Sequence, residues 1–131
     1  MPTMKLDAVS VSSGDFAKTA KFYALLGFKF SKFAADAKHL EPVTAAGEVR
    51  LMIDDRDLMK SMIGKDPVPP THSSFAIKCA SPAGVDTAVA KIEAAGFKVV
   101  KQPWDAFWGQ RYAIVADPDG YMVDVFAPLK T

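Results

Sequence analysis

The chain has 131 residues, of which 50% are hydrophobic and 24% are charged, and its formal net charge is +1. These values predict one compact domain with a core of its own. The small net charge and the lack of Lys/Arg runs argue against nucleic acid or an anionic membrane as a partner. A single cysteine, Cys79, excludes an internal disulfide, and its apolar neighbours predict a buried, unreactive thiol. Together with the lack of a signal-like or membrane-spanning segment, this indicates a cytoplasmic protein.

The first half of the chain predicts the order strand, helix, strand, strand, strand. Alternating polar and apolar side chains indicate strands at residues 6–12, 28–33, 39–45 and 48–53. Between the first two strands, Asp15 is placed to cap a helix, and Gly27 occupies the position of a left-handed C-terminal residue. This module covers about residues 5–60.

A proline-rich linker follows, at about residues 61–72. Residues 56–63 predict a short helix or an irregular crossing. Beyond them Pro67, Pro69 and Pro70 are incompatible with a helix or an interior strand.

The second half, about residues 73–128, repeats the order of the first. A strand is expected at 74–80, and a helix then begins at Ser81-Pro82, a capping residue followed by proline at the first helical position. The next strand is expected at 97–101. The two helices end in similar sequences, LLGFKF and AAGFKV, which favours a duplication.

The second half ends in an aromatic loop and a hairpin, in the sequence WDAFWGQRYAIVADPDGYMVDVF. Asp117-Pro118-Asp119-Gly120 has the composition of a tight turn, and alternating residues flank it. Asp124 is an acidic residue within an otherwise apolar strand. An ionised carboxylate there needs a solvated cavity, a basic partner or a metal.

The twofold strand–helix–strand–strand–strand order, the segment FYALLGF and the block WGQRYAIVADPDGYMVDVF resemble the vicinal oxygen chelate superfamily. That group contains glyoxalase, bleomycin-resistance proteins and extradiol dioxygenases. The resemblance covers nearly the whole chain of residues 1–131. It implies an α+β fold in which two βαβββ modules form a curled mixed sheet around a ligand cleft, and it implies a homodimer.

Metal-dependent members of that superfamily take His and Glu ligands from the first and last strands of each half. Carried over by resemblance, those positions fall at Ala8, Met52, Ser74 and Asp124, and only Asp124 has a suitable side chain. We therefore expect no metal or other cofactor, because such sites need about three protein ligands. A displaced site that uses His72 with Asp124 is the alternative. We interpret His72, like His39, as a solvated residue.

The aromatic loop contributes the largest candidate ligand contacts. Trp104, Phe107 and Trp108 would form a stacking wall, or else fill the core or a subunit interface. Arg111 would anchor a ligand together with Asp124, or form a salt bridge. The full predicted site consists of Trp104, Phe107, Trp108, Arg111, Met122, Asp124, Phe126 and Met52.

The resulting hypothesis is a metal-independent protein that binds or sequesters an aromatic or amphipathic small molecule, such as an antibiotic. Such a protein would be similar to the bleomycin-resistance branch of the superfamily. The first alternative is an enzyme of the same superfamily, a lyase, isomerase or dioxygenase acting on a small oxygenated substrate. The second alternative is a cleft used for assembly between subunits.

Overall fold

The computed structural model describes residues 4–73 and 75–129. Within them the chain forms seven strands and three helices: β1 (Ala8–Ser13), α1 (Phe16–Ala24), β2 (His39–Leu40), β3 (Arg50–Asp55), α2 (Arg56–Ile63), β4 (Phe75–Lys78), α3 (Pro82–Ala94), β5 (Lys98–Ala106), β6 (Gln110–Ala116) and β7 (Met122–Pro128).

The strands form two mixed sheets, so the α+β class is confirmed. The first sheet has the order β1-β3-β2 and the second has the order β4-β7-β6-β5. In each sheet the first strand of the module runs parallel to the last strand, and the remaining pairs are antiparallel. The sheets have three and four strands, where the sequence predicted four in each.

The missing strand is the one predicted at residues 28–33. Phe28 and Phe30 pack against the core, and the ring of Phe33 makes an edge contact with Phe16. The alternating apolar residues are therefore used for packing without forming a ladder. The next predicted strand, 39–45, is reduced to His39–Leu40 because Pro42 has no backbone N–H to donate.

The predicted helix starts and the predicted turn are confirmed. The Asp15 carboxylate accepts from the backbone N–H of Lys18 at 3.2 Å, and the Ser81 hydroxyl accepts from that of Gly84 at 3.1 Å. In the turn between β6 and β7, the N–H of Gly120 donates to the Asp117 carbonyl at 3.0 Å. These bonds satisfy backbone donors that would otherwise lack partners.

One core unites both modules. The interior face of each sheet and the helices α1 and α3 meet in it, and its side chains include Val11, Tyr23, Ile53, Val89 and Val125. Cys79 is half-buried at its edge rather than fully buried, and desolvation raises the pKa of its thiol. The other face of each sheet is turned away from the core, and we refer to it as the open face.

Contacts at helix α1 and the residues just before it link the first module to the second. The Tyr23 hydroxyl donates to the Asp117 carboxylate at 2.7 Å, and the Asp119 carboxylate accepts from the N–H of Gly14 at 2.9 Å. The rings of Phe22 and Phe97 lie 5.3 Å apart, edge to face. Within the described ranges, no helix is both long and apolar enough to cross a membrane.

Candidate ligand-binding face

Strands β5, β6 and β7 present a set of contacting aromatic rings on the open face of the second sheet. The register places Trp104 opposite Tyr112, and Tyr112 opposite Phe126. Ring centroids lie 5.6 Å apart in the first pair and 5.9 Å apart in the second. The rings of the second pair are stacked, with an angle of 25° between their planes. These pairs fall within the separations at which aromatic rings attract one another.

The turn between β5 and β6 extends this set. Trp108 lies 5.3 Å from Tyr112 and 5.1 Å from Phe107. Its indole N–H donates to the Gln110 side chain at 2.9 Å, and the Lys101 ammonium lies 4.6 Å over the ring of Trp104. We call Trp104, Phe107, Trp108, Tyr112 and Phe126 the aromatic face.

Much of the aromatic face is in contact with water. Phe107 is 96% exposed and Trp108 is 49% exposed. Exposed aromatic area of this size, joined into one patch, is typical of a surface that binds something.

Asp124 lies beside the aromatic face and is held by two neutral hydroxyls. Tyr112 donates to one carboxylate oxygen and Ser73 donates to the other, both through short hydrogen bonds. Burial, reinforced by the bond to Asp124, raises the pKa of Tyr112 to about 12, so its hydroxyl keeps its proton at neutral pH. Among the described residues, no Lys, Arg or His nitrogen lies within the 4.0 Å salt-bridge distance of Asp124.

Six of the eight predicted site residues share this region. Trp104, Phe107, Trp108 and Phe126 belong to the aromatic face, with Asp124 beside them. Met122 lies two residues before Asp124 on β7, and therefore on the same open face.

Arg111 and Met52 lie elsewhere. The Arg111 guanidinium forms salt bridges with Asp86 on α3 at 3.0 Å and with Asp105 on β5 at 3.1 Å. Adjacent strand residues point to opposite faces, so Arg111 is on the other side of the sheet from Tyr112 and Asp124. Met52 lies on β3 of the first sheet, where its sulfur contacts Arg50.

The positions that resemblance assigned to a metal do not form a ligand set. Ala8 and Met52 offer no hard oxygen or nitrogen donor, Ser74 lies outside the described residues, and Asp124 is engaged by two hydroxyls. No group of three or more His, Cys, Asp or Glu side chains arranged to hold a metal was found in the described part of the chain. The donors present do not fit a tightly held divalent ion.

His72 does not reach Asp124. Its side chain is exposed, and its Nδ1 lies 3.4 Å from the carbonyl oxygen of Ser73. The neighbouring Ser73 is the residue of this segment that contacts Asp124.

The open face of the first sheet carries a network of charged side chains. Arg50 binds Asp7 at 3.1 Å and Glu41 at 2.8 Å. His39 joins Glu41 and Asp54 through its two ring nitrogens, each at 2.7 Å. The side chain of His39 is 45% exposed, as predicted for a solvated residue, but it is also held between two carboxylates. Its pKa is raised, chiefly by its hydrogen bond to Asp54.

Sequence reasoning missed Tyr112 and Ser73 as partners of Asp124. The turn itself contains the signal for Tyr112, because closing a hairpin at residues 117–120 places 114 opposite 124 and 112 opposite 126. Tyr112 is therefore a diagonal neighbour of Asp124. Nothing local predicts Ser73, which reaches Asp124 across 51 residues.

The parallel first-to-last pairing within each sheet, repeated in two modules, defines the class of fold, and comparison with known proteins gives the family. A model of the Glyoxalase/Bleomycin resistance protein/Dioxygenase superfamily matches residues 5–125. The chain belongs to this superfamily. A search of curated proteins found no match.

Solved structures with the same fold cover almost all of the chain. A glyoxalase-related enzyme from Fulvimarina pelagi has a TM-score of 0.79 and 17% identity, over 94% of this chain and 87% of that one. A hypothetical protein from S. aureus has a TM-score of 0.77 and 21% identity, over 97% and 95%. A lactoylglutathione lyase from Agrobacterium tumefaciens has a TM-score of 0.67 and 17% identity, over 97% and 96%. At these identities the likeness establishes the fold alone.

Proposed function

We propose that the protein binds a small aromatic or amphipathic molecule without a metal, on the open face of its second sheet. The observation that carries this proposal is the aromatic face itself, five contacting rings of which Phe107 and Trp108 are substantially exposed. A flat apolar ligand would stack on these rings and remove them from water. Asp124 would accept a hydrogen bond from the ligand, since two hydroxyl donors leave part of its acceptor capacity unused.

The proposal is tested by the affinity of a neutral probe, biphenyl-4-carboxamide, measured by isothermal titration calorimetry. Trp104→Ala removes a ring that contacts both Tyr112 and Trp108. We expect it to weaken probe binding about tenfold or more, the equivalent of one lost aromatic contact.

The control for this experiment is Phe33→Ala, which removes a half-exposed ring from the other module. We expect it to change the probe affinity by less than about twofold. Equal affinities in the wild type and Trp104→Ala would show that the aromatic face is not the binding surface.

We infer further that the protein is a homodimer, and that Phe107 and Trp108, at the turn between β5 and β6, lie where the ligand surface borders the subunit contact. Phe107 is 96% exposed to solvent, which is unusual for a large apolar residue in a monomer. Trp108→Asp places a charge in this contact. We expect light scattering to give a dimer mass for the wild type and a monomer mass for the variant. A monomeric wild type would refute the inference.

A metal-independent lyase or isomerase is the second candidate, and the setting of Asp124 favours it. Asp124 is a carboxylate without a cationic partner, and the neutral Tyr112 hydroxyl beside it is a proton donor. Turnover of an α-ketoaldehyde–thiol adduct that is lost in Asp124→Asn and insensitive to chelators would establish this activity. No turnover with or without divalent ions would leave binding as the proposed function.

A further inference from the structure

A cavity of about 690 Å³ lies at the end of the second sheet where the β6–β7 turn meets α1. Lys18 and Lys21 line it from α1, and Lys98 lines it from the start of β5. Lys18 and Lys21 are three positions apart on the helix, so their side chains project from the same side. Three lysines from two separate elements thus line one space.

These lysines have no acidic partners in the described part of the chain. The salt bridges found there, at up to 4.0 Å, involve Lys38, Lys60, Arg50, Arg111 and His39. Like charges around one cavity repel each other, and an anion placed between them relieves that repulsion.

The acidic residue in the cavity wall, Asp117, offsets only part of the charge of the lysines, because three lysines and one carboxylate leave the wall with a formal charge of +2. It is 4% exposed. Its carboxylate accepts from the Tyr23 hydroxyl at 2.7 Å and from the N–H groups of Asp119 and Tyr121, each at 2.9 Å. Its oxygens are thus held inside the turn by neutral donors.

The cavity adjoins the open face of the second sheet, because Lys98, Ala116 and Met122 line it. Its wall includes Phe97, Val100 and Met122, and the register aligns Lys98 with Ala116 and Ala116 with Met122 across the open face. From Met122 to Phe126 is four residues along β7, or about 13 Å. The lysine-lined cavity therefore lies at one end of the open face, and the aromatic rings lie at the other.

Asp124 lies between these ends, two residues beyond Met122 on β7. A negative group of a ligand is repelled from the neighbourhood of Asp124, and it is attracted towards the lysine-lined cavity, whose wall includes Met122, about 7 Å further along the strand. The charges thus fix the direction in which an anionic ligand would lie.

We propose that this cavity binds the anionic group of an elongated aromatic ligand, with Lys18, Lys21 and Lys98 around the anion and the ligand's rings on the aromatic face. The inference rests on the proposed function, because the aromatic face holds the rest of the molecule. It narrows the ligand class to aromatic carboxylates, sulfonates or phosphates longer than a single ring.

The test compares biphenyl-4-carboxylate with its neutral amide, biphenyl-4-carboxamide, by calorimetry on the wild type and on the double variant Lys18→Ala/Lys21→Ala. For the carboxylate we expect the double variant to bind about tenfold more weakly, from two lost ion pairs. For the amide we expect a change of less than about twofold. Raising the salt concentration should weaken the wild-type affinity for the carboxylate alone, because salt screens charges.

Lys91→Ala is the matched control, because Lys91 is an exposed helical lysine on α3 that does not line the cavity. It changes the net charge without changing the cavity, so it should leave both affinities within about twofold of the wild type. A lysine double variant with unchanged carboxylate affinity, or a wild-type Kd weaker than about 1 mM for the carboxylate, would overturn the inference.

The two proposals fail in different ways. If Trp104→Ala weakens binding of the amide but the lysine double variant binds the carboxylate with unchanged affinity, the aromatic binding face stands and the anion cavity is refuted. If Trp104→Ala changes the affinity for neither probe while the lysine double variant weakens binding of the carboxylate, the cavity binds anions. In that case the proposed function and the combined ligand class are refuted.

Discussion

The open faces of the two sheets differ in how their polar groups are paired. On the first sheet, Arg50 and His39 join three carboxylates into one network, so each charge has an opposite charge beside it. On the second sheet, Asp124 is held by two neutral hydroxyls and adjoins uncovered aromatic rings. The charged groups of the first face are paired with one another, whereas the second face leaves aromatic rings uncovered.

This difference shows which face of a sheet can differ between two modules with similar strand pairing. The parallel β1–β3 and β4–β7 pairs occupy equivalent places in the two modules. The interior faces of both remain apolar because they share one core, while each open face is free to vary. Similar backbones thus carry a charged network on one sheet and the aromatic face on the other.

The largest expected effect comes from deleting the carboxylate of the second face. Asp124→Ala leaves the hydroxyls of Tyr112 and Ser73 without their acceptor in a partly buried position, and we expect it to reduce the free energy of unfolding by about 1–3 kcal/mol. Asp7→Ala, on the first sheet, removes a 59% exposed side chain and should cost less than about 0.5 kcal/mol. Urea denaturation measures both values, and equal losses would contradict the contrast between the faces.

The next prediction concerns Tyr112, whose pKa is raised to about 12 by burial first and by Asp124 second. In Asp124→Asn the negative charge is lost, so we expect the pKa of Tyr112 to fall. It should remain above the ordinary value of about 10 because the burial persists. Titration followed by carbon NMR of the Tyr112 ring measures this change. An unaltered pKa would show that Asp124 does not engage Tyr112.

A smaller effect is expected from pH on the first face. Because the pKa of His39 is raised in the folded protein, its contribution is fully present below the ordinary His value of about 6.5 and is lost as pH rises through the raised value. The side chain is 45% exposed, so the contribution should stay below about 1 kcal/mol.

The measurement for His39 is Tm as a function of pH from below 6.5 upward, in the wild type and in His39→Gln. The wild type should lose slightly more stability than the variant as pH rises, and added salt should reduce the difference. Parallel curves would show that the His39 network does not contribute.

The smallest effect is expected from Arg111. Since its guanidinium binds Asp86 and Asp105 on the core side of the sheet, Arg111→Ala should leave the affinity for biphenyl-4-carboxylate within about twofold of the wild type. Calorimetry under the conditions used for the lysine variants provides the comparison. A tenfold loss would assign Arg111 to the ligand site, one of the two roles that the sequence leaves open for it.

The sequence predicted the element order of the second module, the helix caps and the hairpin because each depends on residues close together in the chain. It also grouped Trp104, Phe107, Trp108, Met122, Asp124 and Phe126, since strand alternation and a short turn determine their faces. The sequence did not identify the partner of a side chain that could contact several neighbours. Arg111 forms a salt bridge with Asp86, which lies on a helix 25 residues away, and strand alternation does not reveal this contact.

Failures in the first module have a similar cause. Phe28 and Phe30 alternate like strand residues, but the core takes their rings without a partner strand. The network that includes His39 and Arg50 depends on the pairing of β2 with β3, and β2 is only two residues long. Packing between distant segments decides both outcomes, and local periodicity does not encode it.

The contacts between α1 and the β6–β7 turn also bear on how the chain folds. Tyr23 and Asp117 are separated by 94 residues, and Gly14 and Asp119 by 105. During synthesis, α1 emerges long before the turn that covers its end. The rings of Phe22 and Tyr23 therefore become fully buried only after most of the chain has been synthesised. Closure over such separations is slow compared with local pairing. Until the final hairpin is made, the nascent chain exposes an aromatic surface to which chaperones or other unfolded chains can bind.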